Sequence, residues 1–149
     1  MILKAKPFLA VILTALALVP GGAHVFALPN KIGLPQEQYF AVQGIYHGWA
    51  LFGFVLIGAL LADLALAVLQ RHQRGPFRLA LLAFVLMAAS LAVFFTWTYP
   101  ANQTTANWTV APETWQALRR QWEFAHATSA VLQFLSLCSI VLSLLLWRR

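Results

Sequence analysis

Charge is what this sequence has least of. Only 9% of its 149 residues are charged, against roughly 25% in an ordinary soluble domain, and 61% are hydrophobic. That excludes a water-soluble globular class and leaves an integral membrane protein whose length suits one domain, residues 1–149. Acidic residues number four. Glu37 falls near a loop and Asp63 near the side opposite Glu123, so the paired acidic motifs of a ferritin-type di-iron bundle are missing. Cysteine occurs once, as Cys138 in an apolar run. It can close no intramolecular disulfide and builds no cysteine metal site. The net charge of +6 is not a nucleic-acid signal, because most basic residues flank hydrophobic segments.

Four such segments are present, at about 7–28, 35–69, 77–99 and 112–147. They predict an all-α bundle of four transmembrane helices. The first follows Lys4 and Lys6. A weak cleavage pattern, Val25-Phe26-Ala27, raises a signal peptide, but the run is long enough to span and reads as a retained helix. Pro20-Gly21-Gly22 predicts a kink or break before His24. Pro29-Asn30 and Pro100-Ala101-Asn102 read as loops. The second segment reads as one long helix opened by Pro35, with Gly44 and Gly48 as a small-xxx-small packing pair. Lys4, Lys6, Arg71, Arg74, Arg78, Arg148 and Arg149 gather on one side, against Lys31, Arg119 and Arg120 on the other. By the positive-inside rule both termini are cytoplasmic, and the expected location is a bacterial inner membrane.

The stretch from Asn102 to Gln133 holds three of the six tryptophans. If Pro112 opens a helix, Trp115, Arg119, Trp122, His126, Ser129 and Gln133 fall within an arc of roughly 80°. An aromatic, basic and imidazole column then runs from the membrane surface into the bilayer. Ionisable groups there are costly without a partner or a task.

Several chemistries fit these residues. Glu123-Phe124-Ala125-His126 puts a carboxylate and an imidazole on one face. With His24 and His47 they make a mononuclear metal set, and two histidines equally suit a haem. The plain alternative pairs Glu123 with Arg119 or Arg120 along the helix. Trp108, Trp115 and Trp122 read as an interfacial belt, or as walls of a ligand pocket with Tyr46, Trp49, Trp97 and Tyr99. Asn30, Asn102 and Asn107 are loop residues first, and substrate-orienting groups second. Asp63 is expected to pair with Arg71 or Arg78.

Leu28-Pro29-Asn30-Lys31, Tyr99-Pro100-Ala101-Asn102 and Asn107-Trp108, followed by Trp115, Arg119, Trp122 and His126, carry a family likeness. Over nearly the whole chain the sequence resembles the anthrone-oxygenase-like family of small four-helix membrane proteins, most of them classed as a domain of unknown function. The resemblance implies that fold. From the fungal members it also implies oxygenation of polyphenolic anthrones without an established cofactor.

The expected function is an oxygenase or oxidoreductase acting on a lipophilic aromatic or quinol-like molecule in an outer-leaflet pocket. His126 is the base or ligand, Arg119 the anion stabiliser, and Glu123 the third catalytic group. A metal, a haem or no cofactor all remain open. Expected partners are membrane lipid and a hydrophobic small molecule, with no nucleic acid and with homo-oligomerisation open. The alternative is a non-enzymatic lipid-binding or assembly subunit.

Overall fold

A bilayer offers backbone groups no water, so an apolar segment must close its hydrogen bonds within itself. The computed structural model describes residues 2–148, with side chains from Lys6 onward. The Lys4 side chain and Arg149, both counted among the basic residues above, lie outside it. Its helices are α1 (Ile2–Lys31), α2 (Gln36–Gln43), α3 (Phe52–Leu69), α4 (Arg74–Val93), α5 (Tyr99–Thr104) and α6 (Trp115–Leu146). Four stretches are long and apolar enough to cross a membrane: Lys6–Lys31, Trp49–Leu69, Arg74–Thr104 and Trp115–Leu146. The chain is an integral membrane protein built as a four-helix bundle.

Three local expectations need correction. First, α1 continues through Pro20, Gly21 and Gly22 without a break. Gly21 serves packing instead. A Cβ on Gly21 would lie 3.0 Å from Gln133 Oε1 and 3.1 Å from Ala130 Cβ, so the missing side chain lets α1 and α6 meet. Asn30 accordingly sits in the last turn of α1, not in a loop.

Second, the second segment is not one helix. Between α2 and α3 the chain makes two short 3-10 turns, Gly44–Tyr46 and Trp49–Leu51. Gly48 joins them at φ +84°, which an L side chain rarely adopts. Gly44 and Gly48 therefore do not form a helical packing pair, and open space surrounds both.

Third, the third span does not stop at Tyr99. It widens into a π turn at Phe94–Thr98 and continues as α5 to Thr104, which takes in Pro100 and Asn102. A π turn accommodates a backbone that a proline has deprived of a donor. The last helix begins at Trp115 rather than Pro112, and Pro112 accepts its first turn through Trp115 N–H at 3.0 Å.

The interior is small and polar, and the outside is large and apolar, as a bilayer demands. α6 packs against α4 and α1, α1 against α3, and α3 against α4. Ala10, Ala67, Ala80 and Ala83 pack with Leu66 and Ile140 near the Arg71 end. Ala17, Ala59 and Met87 fill the middle. Tyr39, Ala101, Trp108 and Trp122 close the Lys31 end. Phe8, Phe26, Phe54, Phe134 and Leu145 stand on the exposed surface.

Candidate functional site

The polar groups at the Lys31 end meet around one buried ion pair. Lys31 is the last residue of α1, and its long side chain folds inward to place Nζ 3.0 Å from Glu123 Oε1. Both side chains are almost wholly buried, at 4% and 0% exposure. Desolvating two charges is tolerable only with further hydrogen bonds. Lys31 donates to the Tyr46 hydroxyl at 3.0 Å and lies 3.5 Å from His24 Nδ1. The Tyr39 hydroxyl donates to Glu123 Oε1 at 2.9 Å. Burial, reinforced by the adjacent carboxylate, pushes the Tyr39 phenol well above its ordinary value, so it remains a donor. An ammonium group only donates, so His24 Nδ1 accepts and its proton sits on Nε2.

Beside this pair the aromatic rings converge. His24 and His126 stack with centroids 4.0 Å apart and planes at 25°. Trp122 presents edge-on contacts to His24 at 4.7 Å and His126 at 4.3 Å. Tyr46 lies 4.2 Å from His24, and Trp49 lies 5.9 Å away.

Asn102 holds this wall in place. Its carbonyl oxygen accepts from the indole N–H of Trp122 at 2.7 Å and of Trp108 at 3.2 Å. Trp108 reaches inward through three successive left-handed residues, Ala106, Asn107 and Trp108, at φ 47°, 56° and 65°. Such backbone costs roughly 1–2 kcal/mol per non-glycine residue and needs compensating contacts. Asn107 N–H bonds to Asn102 O at 2.7 Å, and Trp108 N–H to Thr105 Oγ1 at 3.1 Å.

Several sequence-derived sites therefore come together: His24, Tyr46, Trp49, Asn102, Trp108, Trp122, Glu123 and His126. Arg119 and Trp115 sit one layer further out. Arg119 donates to the Leu34 carbonyl at 2.7 Å and lies over the Trp115 and Tyr39 rings at 4.8 and 5.3 Å. Asn30, Asn107 and His47 are exposed and stand outside the cluster. The carboxylate's ionic partner is Lys31 rather than Arg119 or Arg120, because α1 ends level with Glu123 and a lysine stem spans the gap.

Among the described residues no three His, Cys, Asp or Glu side chains converge as metal ligands. The proposed set of His24, His47, Glu123 and His126 reduces to a stacked imidazole pair and a carboxylate already held by Lys31. Stacked rings also do not aim their nitrogens at one another across an iron, as a doubly ligated haem requires.

Lys31 and Tyr39 are the residues that sequence reasoning did not place here. Local spacing carried no signal for Lys31, which lies 92 positions from Glu123 and on another helix.

The His126 imidazole is also reached from the side. A cleft of about 390 Å³ is lined by Pro20, Trp49, Phe54, Phe94 and Phe95, with Ser90, His126, Ser129 and Gln133 as its polar floor. Phe54 and Phe95 are exposed, so the mouth opens on the apolar outer surface between α3 and the π turn. A shallower groove of about 480 Å³ between α4 and α6 touches no member of the polar cluster except through Ala125 beside it.

No family model, curated protein or solved structure matches the chain.

Proposed function

We propose that this membrane protein binds a lipophilic aromatic molecule bearing an acidic O–H or benzylic C–H, and initiates its oxygenation by removing that proton. The supporting observation is the position of His126. It belongs to the cleft floor and also stacks on His24 within the Lys31–Glu123 cluster. A substrate can slide in from the hydrocarbon layer without crossing water. His126 is then the base, and Trp49 and the Phe94 ring flank the flat ligand. Glu123 and Tyr46 hold Lys31, Tyr39 holds Glu123, and Lys31 is the cation beside His24 of the imidazole pair. Arg119 stabilises charge from the outer layer, through Tyr39 and Trp115.

The redox step needs dioxygen as the named oxidant. A deprotonated, electron-rich ring carbon donates to dioxygen. One ring methylene and one dioxygen then yield one ring carbonyl and one water, so the carbon is oxidised and both oxygen atoms are accounted for. The likeness of the Asn107-Trp108 and Trp115 to His126 pattern to the anthrone-oxygenase-like family supports this substrate class. The site lies in the outer leaflet of a bacterial inner membrane, with both termini cytoplasmic.

The alternative is a lipid-binding or assembly subunit. The open space around Gly44 and Gly48 favours it, since a partner can approach the backbone closely there. Oxygen uptake by the detergent-purified protein with anthrone-type and alkylphenol probes separates the two. Enzyme function requires uptake that falls by about 10²–10⁴ in His126→Ala. Saturable quenching of tryptophan emission without oxygen uptake establishes the binding subunit instead.

A further inference from the structure

A membrane interior leaves polar side chains little but each other to bond with, so an unpaired one marks room for a partner. Asp63 shows the usual outcome. Its expected pairing with Arg71 or Arg78 does not form: Arg71 is exposed and bonds to the Val68 carbonyl, and Arg78 is exposed as well. Asp63 accepts instead from the Thr14 hydroxyl at 3.1 Å and the Ser136 hydroxyl at 3.4 Å, so both its oxygens are satisfied. Among the described residues, the buried side chains left with an unpaired polar atom are Gln43, Gln70, Thr98, Arg119, Glu123 and Gln133. Of these, Gln133 lines the cleft.

Its neighbours decide which end of the Gln133 amide is unpaired. Ser90 has one hydroxyl proton, and it lies on the Met87 carbonyl at 2.8 Å. The Ser90 oxygen is then an acceptor, and Gln133 Nε2 donates to it at 3.5 Å. Turning the amide over would set two acceptors against each other. Oε1 is left without a partner beside Gly21 of α1, where a Cβ would stand 3.0 Å away. Gly21 lines the cleft too, so bare backbone rather than a side chain flanks the oxygen there. At 5% exposure Gln133 has no outlet to bulk water.

The rest of the floor has also spent its hydroxyl protons. Ser129 donates to the Ser90 backbone carbonyl at 3.4 Å. What the serines and Oε1 offer a ligand is acceptor capacity. A carbonyl or ether oxygen on the ligand leaves Oε1 buried and unpaired, whereas a hydroxyl satisfies it. Gln133 follows His126 by two turns on the same face of α6, about 10 Å along the helix. One ligand meets both if its polar ends are that far apart on an apolar body. Trp49, Phe94 and Phe95 wall the cleft for such a body.

We propose that Gln133 is the specificity-determining residue of the cleft, and that its Oε1 accepts a hydrogen bond from a hydroxyl at the inner end of an elongated aromatic ligand whose other end meets His126. This rests on the reading of the cleft as the ligand site, and it narrows the ligand class to rigid aromatics with a polar group at each end. No proton is transferred at Gln133, so the balance of the oxygenation is unchanged.

Quenching of tryptophan emission, with Trp49 in the cleft wall, measures this under argon, where no oxygenation takes place. The probes are a biphenyl with a para hydroxyl at each end and the biphenyl that carries only one. The wild type should bind the diol about tenfold more tightly than the mono-phenol. Gln133→Leu should remove that preference by weakening the diol, with the melting temperature in detergent showing that the bundle is retained. Equal affinity for the two probes in the wild type overturns the proposal without any variant. So does a preference for the diol that survives in Gln133→Leu, which would mean that Oε1 is closed off from the cleft. Either of these results leaves the cleft itself standing as a ligand site. If neither probe gives saturable quenching, the cleft reading fails and the proposal with it.

Discussion

His126 and His24 stack at 4.0 Å, yet only His126 lines the cleft. One imidazole faces the membrane side and the other faces the buried Lys31–Glu123 pair. The two should therefore fail differently. His126→Ala should abolish oxygen uptake while leaving helicity intact. His24→Ala should retain part of the uptake and lower it mainly by disordering its neighbour. Equal, complete loss in both, with normal folding, would mean that the pair acts as one catalytic unit.

Lys31 and Glu123 should behave as a coupled pair. Replacing one partner strands a buried charge and is expected to cost about 3–5 kcal/mol. Lys31→Met and Glu123→Gln should each lower the melting temperature in detergent sharply. The double variant should recover much of the loss, which a double-mutant cycle measures. Additive losses would show that the 3.0 Å contact carries little coupling.

Tyr39 gives a pH signature. Its phenol is pushed up by burial and by Glu123, whereas an unfolded tyrosine ionises near pH 10. The native state holds that proton more tightly than the unfolded state. The stabilisation is full below about pH 10 and is lost as pH rises toward the native value. The ultraviolet phenolate difference between wild type and Tyr39→Phe should be absent near pH 10–11 while the protein stays folded. A full phenolate step there would contradict the buried hydrogen bond.

Much of the fold was legible because hydrophobic length and basic flanks report on the bilayer directly. Residue-level breaks were less so. Pro20-Gly21-Gly22 reads as a kink or break, but a local pattern does not say that Ala130 and Gln133 of α6 await a bare backbone at Gly21. Gly44 and Gly48 read as a packing pair, although Gly48 is spent on a left-handed turn. The helical column to His126 came from spacing alone. Lys31 stayed hidden because its partner lies 92 positions away, and only the folded bundle brings α1 and α6 level.

The glycine contrast is open to a direct check. Gly21→Ala forces Gln133 or Ala130 to move, and overpacking of this kind costs roughly 1–3 kcal/mol. Gly53→Ala meets open space and should be neutral in the same thermal melt. Equal effects would argue against the close approach of α1 to α6.

Asn102→Ala removes the acceptor shared by two indoles, at about 1–3 kcal/mol for leaving buried donors unpaired. The tryptophan emission should move to longer wavelength as Trp108 and Trp122 loosen. An unchanged spectrum would remove Asn102 from its positioning role.

The measurement closest to the central claim is dioxygen consumption by the purified protein with an anthrone-type probe. It should be run beside His126→Ala and a plugged cleft, Gly53→Trp. The account expects one dioxygen consumed per molecule of probe by the wild type, and loss of consumption in both variants with helicity retained. Undiminished consumption in His126→Ala would contradict it.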